Sequence, residues 1–158
     1  MLSRLFNMIE TTLKMIPESL ILLIARFSLA AIFWLSAQTK IDGFAINFIT
    51  MQFQLGWPQI TDTTYFLFEH EYALPLLPPV FAAMTATLAE HLLAVLVLIG
   101  LFTRYAALGL ALMTLVIQLF VYPDAYATHG TWLAISLLLM RQGAGKFSLD
   151  QLRRPSLS

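Results

Sequence analysis

The residues able to do chemistry stand in costly places: Arg26 lies inside the apolar run from Pro17 to Ala37, and Glu90 and His91 lie inside the run from Leu76 to Gly100. An ionisable group at the centre of a bilayer costs roughly 2.5–3.5 kcal/mol, so such residues face a bundle interior, a partner charge or a water-filled cavity. An arginine–carboxylate pair satisfies both members by charge-assisted hydrogen bonds and leaves guanidinium donors for a carbonyl or an anion. Arg26 and Glu90 are therefore expected at similar depth and paired, as a clamp between helices, a functional site, or both. His91 points about 100° away from Glu90 around a helix and so faces a neighbouring element. Haem ligation through it is open in principle, although no spacing requires it.

A second polar group gathers at the other end of these runs. Gln38 and Lys40 follow the first, Gln118 and Tyr122 end a third, and Asp124, Tyr126, His129 and Trp132 surround the turn into a fourth. Mouths of helix bundles are common ligand sites, whereas Tyr and Trp also belong to the interfacial belt and Asp124 after Pro123 is ordinary turn chemistry. The ligand-binding candidates are thus Arg26, Glu90, His91, Lys40, Gln118, His129 and Trp132, with Glu90, His91 and His129 as the groups able to carry protons in catalysis. No metal site is expected. The weak candidates are His70, His129 and Asp124, with Glu69 and Glu71 nearby, and no His-x-x-x-His pair supports them. Nucleophile-triad order, a phosphate-binding Gly loop and a dinucleotide fingerprint are all missing from the sequence.

The elements that must position these groups follow from composition. The chain has 158 residues, 59% hydrophobic and 11% charged, against about 25% charged in soluble domains. That identifies a membrane protein, with room for four spans of about 20 residues and no separate catalytic domain. The expected fold is all-α: a single polytopic four-helix membrane bundle over 1–158, with spans at about 17–37, 76–100, 105–122 and 128–142. The last is the shortest and borrows Arg141, whose long side chain can snorkel. Zero net charge and the lack of a basic block argue against nucleic acid as a partner. The absence of cysteine removes disulfides, thiolate metal sites and thiol redox chemistry from this chain.

Orientation follows the distribution of Lys and Arg, which favours the cytoplasm. Arg4 and Lys14 precede the first span, Arg104 sits between the second and third, and Arg141, Lys146, Arg153 and Arg154 follow the fourth, placing both termini in the cytoplasm. Lys40 is the exception, on a side that otherwise holds Asp42, Asp62, Glu69, Glu71 and Asp124. The first run is longer than a signal-peptide core of 7–15 residues and contains an arginine, so it reads as a retained helix. The stretch 41–73 is too apolar for a solvated loop and is expected on the outer face. Thr61 or Asp62 could cap an interfacial helix there, running through Tyr65 and Phe68 to Tyr72. Pro75, Pro78 and Pro79 lead into the second span. Ala106, Ala107, Gly109 and Ala111 on the third would allow close helix approach within a protomer or in a homo-oligomer.

The segment Leu22-Leu23-Ile24-Ala25-Arg26, with Trp34 to Lys40, Ala89-Glu90, the Ile99 to Arg104 turn and Gly143 to Asp150, resembles the DoxX family of small four-helix bacterial membrane proteins. The segments Leu67 to Pro79 and Phe120 to Trp132 resemble a branch encoded beside iron-dependent peptide-modifying oxidases and metal-stress genes. The resemblance implies an inner-membrane, multi-pass location and a link to quinol oxidase, thiosulfate:quinone oxidoreductase or oxidative-stress complexes. It carries Arg26 and Glu90 over as intramembrane charged positions and Arg104 as a cytoplasmic turn residue. The leading expectation is a redox accessory, such as a quinone-linked oxidoreductase subunit, that holds a quinone or quinol in the bundle and works with a redox or peptide-maturation partner. Haem or metal stays open as a cofactor. The competing expectation is a non-enzymatic assembly or export factor for a small secreted peptide or metal-stress system, with Arg26–Glu90 structural.

Overall fold

The computed structural model describes residues 2–48 and 50–153, so Arg154 lies outside the described residues. The chain opens with α1 (Leu2–Lys14), whose Leu2, Leu5, Phe6, Ile9 and Leu13 recur at helical spacing on one face. None of its residues is buried against another element. The first long helix, α2 (Glu18–Gln38), begins after Pro17, and its N-terminal side chains carry no cap.

A β-hairpin follows. It joins β1 (Ile41–Asn47) to β2 (Gln52–Ile60) in antiparallel register, with Phe44 opposite Leu55 and Ile46 opposite Phe53. One β1 residue, Gly43, faces Gly56, Trp57 and Pro58 at a bulge, and a Cβ on either Gly43 or Gly56 would lie 2.4 Å from a carbonyl oxygen of the opposite strand. The chain is therefore mostly helical and not all-helical. Aromatic and β-branched residues suit a pleated surface, and the bulge at the paired glycines breaks the alternation that would otherwise announce the strands.

The expected short helix is present as α3 (Asp62–Leu67), with Thr61 Oγ1 accepting from the Thr64 N–H, and it continues as a π turn over Phe68–Tyr72. Pro79 occupies the first position of α4 (Pro79–Ile99), which ends at Gly100 in the left-handed conformation. Next come α5 (Thr103–Val116), extended by a second π turn over Ile117–Val121, then α6 (Tyr126–Gln142) and the short α7 (Leu149–Leu152). Among the described residues three helices, Glu18–Gln38, Pro79–Ile99 and Thr103–Val121, are long and apolar enough to cross a membrane, whereas α6 has 17 residues.

The long helices pack α2 on α4, α4 on α5, α5 on α6 and α6 back on α2. Their shared core is rich in alanine, with Leu29, Phe33, Leu110 and Leu139 as its large buried members. Small residues let the backbones approach closely: a Cβ on Gly109 would sit 2.7 Å from Leu93 Cδ1. Large apolar side chains such as Ile24, Phe27, Leu88, Leu92 and Leu112 stay exposed on the outer surface of the spans, as lipid contact requires.

Candidate functional site

The expected Arg26–Glu90 pair does not form. Arg26 donates through Nε to the Val97 carbonyl (2.9 Å), through Nη1 to the carbonyls of Ala144 (3.1 Å) and Phe147 (2.6 Å), and through Nη2 to the Leu98 carbonyl. Val97 and Leu98 stand in the last turn of α4, where the regular intrahelical bonding runs out and a cation also complements the helix dipole, whereas Ala144 and Phe147 belong to the connection between α6 and α7. Gly100 makes room, since a Cβ on it would lie 2.8 Å from Arg26 Cζ and 2.5 Å from Ser148 Cβ. Asp150 completes the knot by accepting from the N–H groups of Phe102 (2.8 Å) and Thr103 (2.9 Å) at the start of α5. Burial raises the Asp150 carboxyl, but the N–H groups of Thr103 and Phe102 and the charge of Arg153 outweigh it and hold its pKa below the ordinary value. The motifs around Arg26, Gly100 and 143–150 thus converge on one structural lock.

Glu90 lies elsewhere, at the level of the last turns of α2. Its Oε2 accepts from Lys40 Nζ (2.8 Å) and its Oε1 from Ser36 Oγ (3.2 Å), while Lys40 also donates to the Ser36 Oγ (2.8 Å) and carbonyl (3.1 Å). The Glu90 side chain is 4% exposed and that of Lys40 14%. From residue 26 to residue 36 a helix rises roughly 15 Å, which explains why the two charged residues of the spans do not meet. Lys40, the basic exception on its side of the bundle, is the partner.

This ion pair forms one wall of a cavity of about 430 Å³, lined otherwise by Thr85 and by apolar and aromatic side chains including Phe33, Phe68, Tyr72, Met113 and Trp132. Both π turns contribute, through Phe68 and Tyr72 on one side and Ile117 and Val121 on the other; such turns are frequent at functional sites. Tyr122 donates to Glu71 Oε1 (3.1 Å), and its ring meets that of Tyr72 edge-on at 6.0 Å. Burial, then hydrogen bonding to Tyr122 and the negative charge of Glu71 and Glu90, push the Tyr72 phenol above its ordinary pKa, so it keeps its proton.

The other candidate residues divide between this cavity and the framework. Lys40, Glu90 and Trp132 line it; His91, Gln118 and His129 do not. His91 Nδ1 sits 2.8 Å from the Thr87 carbonyl and so must donate, leaving Nε2 to accept from Gln38 Nε2 at 3.0 Å. With its ring edge-on to Trp34 at 5.3 Å, both nitrogens are committed to holding the hairpin side of the molecule. His129 is buried, bonds Gln118 Oε1 at 2.7 Å and stands beside Trp132 at 4.9 Å, behind the cavity wall. His70 is exposed and stacked on Phe66, Asp124 is exposed in the turn before α6, and among the described residues no group of three His, Cys, Asp or Glu gathers around a point. Ser36, Phe33 and Tyr72 are among the cavity residues that sequence reasoning misses. Ser36 was accessible, because it stands four residues before Lys40 on one helical face.

A family model described as DoxX matches residues 21–123, a segment that holds Arg26, the hairpin, Lys40, Glu90 and both π turns. The chain belongs to the DoxX family. DoxX proteins are membrane-associated and often linked to redox-related roles. The matched segment contains most of the cavity wall, with Trp132 beyond its end. No curated protein and no solved structure matches the chain.

Proposed function

We propose that this DoxX protein is a multi-pass protein of the bacterial inner membrane that binds a quinone or quinol in the Lys40–Glu90 cavity and serves a redox partner. The observation carrying the reading is a charged, hydrogen-bonded triangle of Ser36, Lys40 and Glu90 on the wall of a mostly apolar cavity. Its volume falls within the roughly 300–1,000 Å³ of small-molecule sites, which combine apolar walls with a few fixed polar groups. In this reading α6 is a fourth span, both termini are cytoplasmic as the Lys and Arg distribution favours, and the cavity opens to the outer side. The α3 helix and α1 lie at the two headgroup boundaries, which suits the apolar stripe of α1.

A quinone supplies reversible two-electron, two-proton chemistry. The chain's own residues would hold and protonate it. All three N–H groups of Lys40 are engaged, so Lys40 receives a ligand carbonyl by releasing its contact to the Ser36 carbonyl. The Tyr72 phenol, whose one proton goes to Tyr122 because Tyr122 donates to Glu71, becomes a second donor by releasing that contact. Glu90 is the acceptor for a quinol proton, within one hydrogen bond of Lys40 and Ser36. Electrons pass to or from a redox centre of the partner protein.

Titration of detergent-solubilised protein with menadione and with a short-chain ubiquinone tests the reading. Saturable binding at one site, weakened by Glu90→Gln and retained in Arg26→Lys, is expected. Equal, non-saturable partitioning into all three samples would remove the quinone site and favour the assembly or export role.

A further inference from the structure

We infer that the β1–β2 hairpin is buried in the membrane leaflet at the C-terminal end of α2, with its apolar face covered by lipid acyl chains. Its sequence is unusual for a water-facing loop: between Asp42 and Asp62 there is no Asp, Glu, Lys, Arg or His. Its large side chains are outside, with Phe48 76%, Leu55 82% and Trp57 84% exposed. A patch of this kind on a surface marks a contact with membrane or protein.

The hydrogen bonds of Ile46 fix where the hairpin lies. Its N–H donates to Gln38 Oε1 at 2.8 Å, and its carbonyl accepts from Trp34 Nε1 at 2.9 Å. The hairpin therefore turns back alongside the last turns of α2 instead of projecting beyond them. With 21 residues α2 spans about 31 Å, close to the hydrocarbon thickness of about 30 Å, so Gln38 stands near the boundary and Trp34 roughly 6 Å inside it. That is the depth, about 5–10 Å, at which interfacial elements seat their apolar faces.

The surroundings favour lipid as the occupant. A groove of about 360 Å³ runs under the hairpin between α2 and α4, bounded by Phe27, Ala31, Leu35, Phe48, Val95 and Leu98. Asn47 is its single non-aromatic polar lining residue. It is continuous with the exposed lipid-facing side chains Ile24, Phe27 and Leu98 of the same two spans. Cross-strand pairing puts Phe44, Ile46, Phe53 and Leu55 on one face, which begins against Trp34 through Phe44 and extends outward through Phe53 and Leu55. The polar cost is also contained. The backbone of β1 at Ile46 is satisfied by Trp34 and Gln38, and the shallow depth leaves the outer edge of β2 within reach of headgroups and water. An open edge deeper in the hydrocarbon would not persist. His91 contributes by holding the Gln38 amide in place.

The cysteine-free chain allows a direct test. Nitroxide labels on Leu55→Cys, Trp57→Cys, Phe27→Cys and Thr63→Cys, each in the full chain reconstituted into phosphatidylethanolamine–phosphatidylglycerol vesicles, are compared by power saturation with oxygen and with a nickel chelate. The expected oxygen-to-nickel ratio at 55 and 57 is several-fold above that at the exposed α3 position 63 and below that at 27, which stands near the middle of α2 and so deeper in the bilayer. A ratio like that at 63 would overturn the inference, as would low collision with both reagents, which would mean that a second copy covers the strand. The inference rests on α2 crossing the membrane, and a failure of that premise would show separately as a water-like ratio at 27.

Discussion

Removing Lys40 should harm the protein more than removing its partner, because the two ends of the pair are buried to different degrees. Lys40→Met leaves a carboxylate whose side chain is 4% exposed with only the Ser36 hydroxyl to bind it. Breaking a buried pair from one side costs about 3–5 kcal/mol, and the near-complete burial of Glu90 places this variant within that range. Glu90→Gln leaves Lys40, at 14% exposure and with two contacts to Ser36, free to turn its ammonium toward the mouth, so about 1–2 kcal/mol is expected. The double variant removes both charges and should cost no more than about 2 kcal/mol, giving a coupling energy of about 3 kcal/mol. Reversible unfolding in mixed micelles, followed by far-ultraviolet circular dichroism, measures all four corners of the cycle. Coupling within about 0.5 kcal/mol of zero would refute the reasoning, since independent sites add to that accuracy.

The cycle between Arg26 and Glu90 should instead be additive, and the reversal Arg26→Glu with Glu90→Arg should not restore folded yield, because the guanidinium serves four carbonyls and not the carboxylate. Gly100→Ala forces a Cβ into the space of Arg26 and Ser148 at a left-handed position, and a loss of about 1–3 kcal/mol in the same unfolding assay is expected. Against the effect of burial, the N–H groups of Thr103 and Phe102 hold the Asp150 carboxyl below its ordinary pKa in the folded protein. Its contribution is therefore full above the ordinary carboxylate value and is lost as pH falls through the folded value; Asp150→Asn should lower the melting temperature at neutral pH and flatten its decline below about pH 4, read in a pH series of melts.

Helix existence was legible in the sequence, because α2 and α4 are long and uniformly apolar and their observed limits lie within about three residues of the expected ones. The hairpin was not. Gly43, Gly56 and Pro58 interrupt its alternation, so a run without charges reads only as apolar surface. Arg26 meets no carboxylate because backbone carbonyls at the end of α4 and in the 143–148 connection take its donors, which pairing charges by sequence depth ignores. The Lys40–Glu90 pair left a trace: a lone lysine on the acidic side of the bundle signals a carboxylate nearby. What could not be read was that the π turn after α3 and the end of α5 fold over that pair to make a cavity, since this depends on where the 41–72 segment returns to the bundle. In α1, Arg4 and Lys14 drew attention as orienting charges, while the stripe of Leu5, Ile9 and Leu13 carried the further information.

The most direct test of the quinone site is mass spectrometry of an organic extract from protein purified in mild detergent, comparing wild type with Ala86→Phe. Ala86 lines the cavity without touching the ion pair's hydrogen bonds, so a phenyl ring there fills the space and spares the Ser36–Lys40–Glu90 triangle. Stoichiometric quinone in wild type that falls to the level of bulk membrane lipid in Ala86→Phe is the predicted result. Equal quinone in both samples, at or above that level, would contradict the assignment of the cavity.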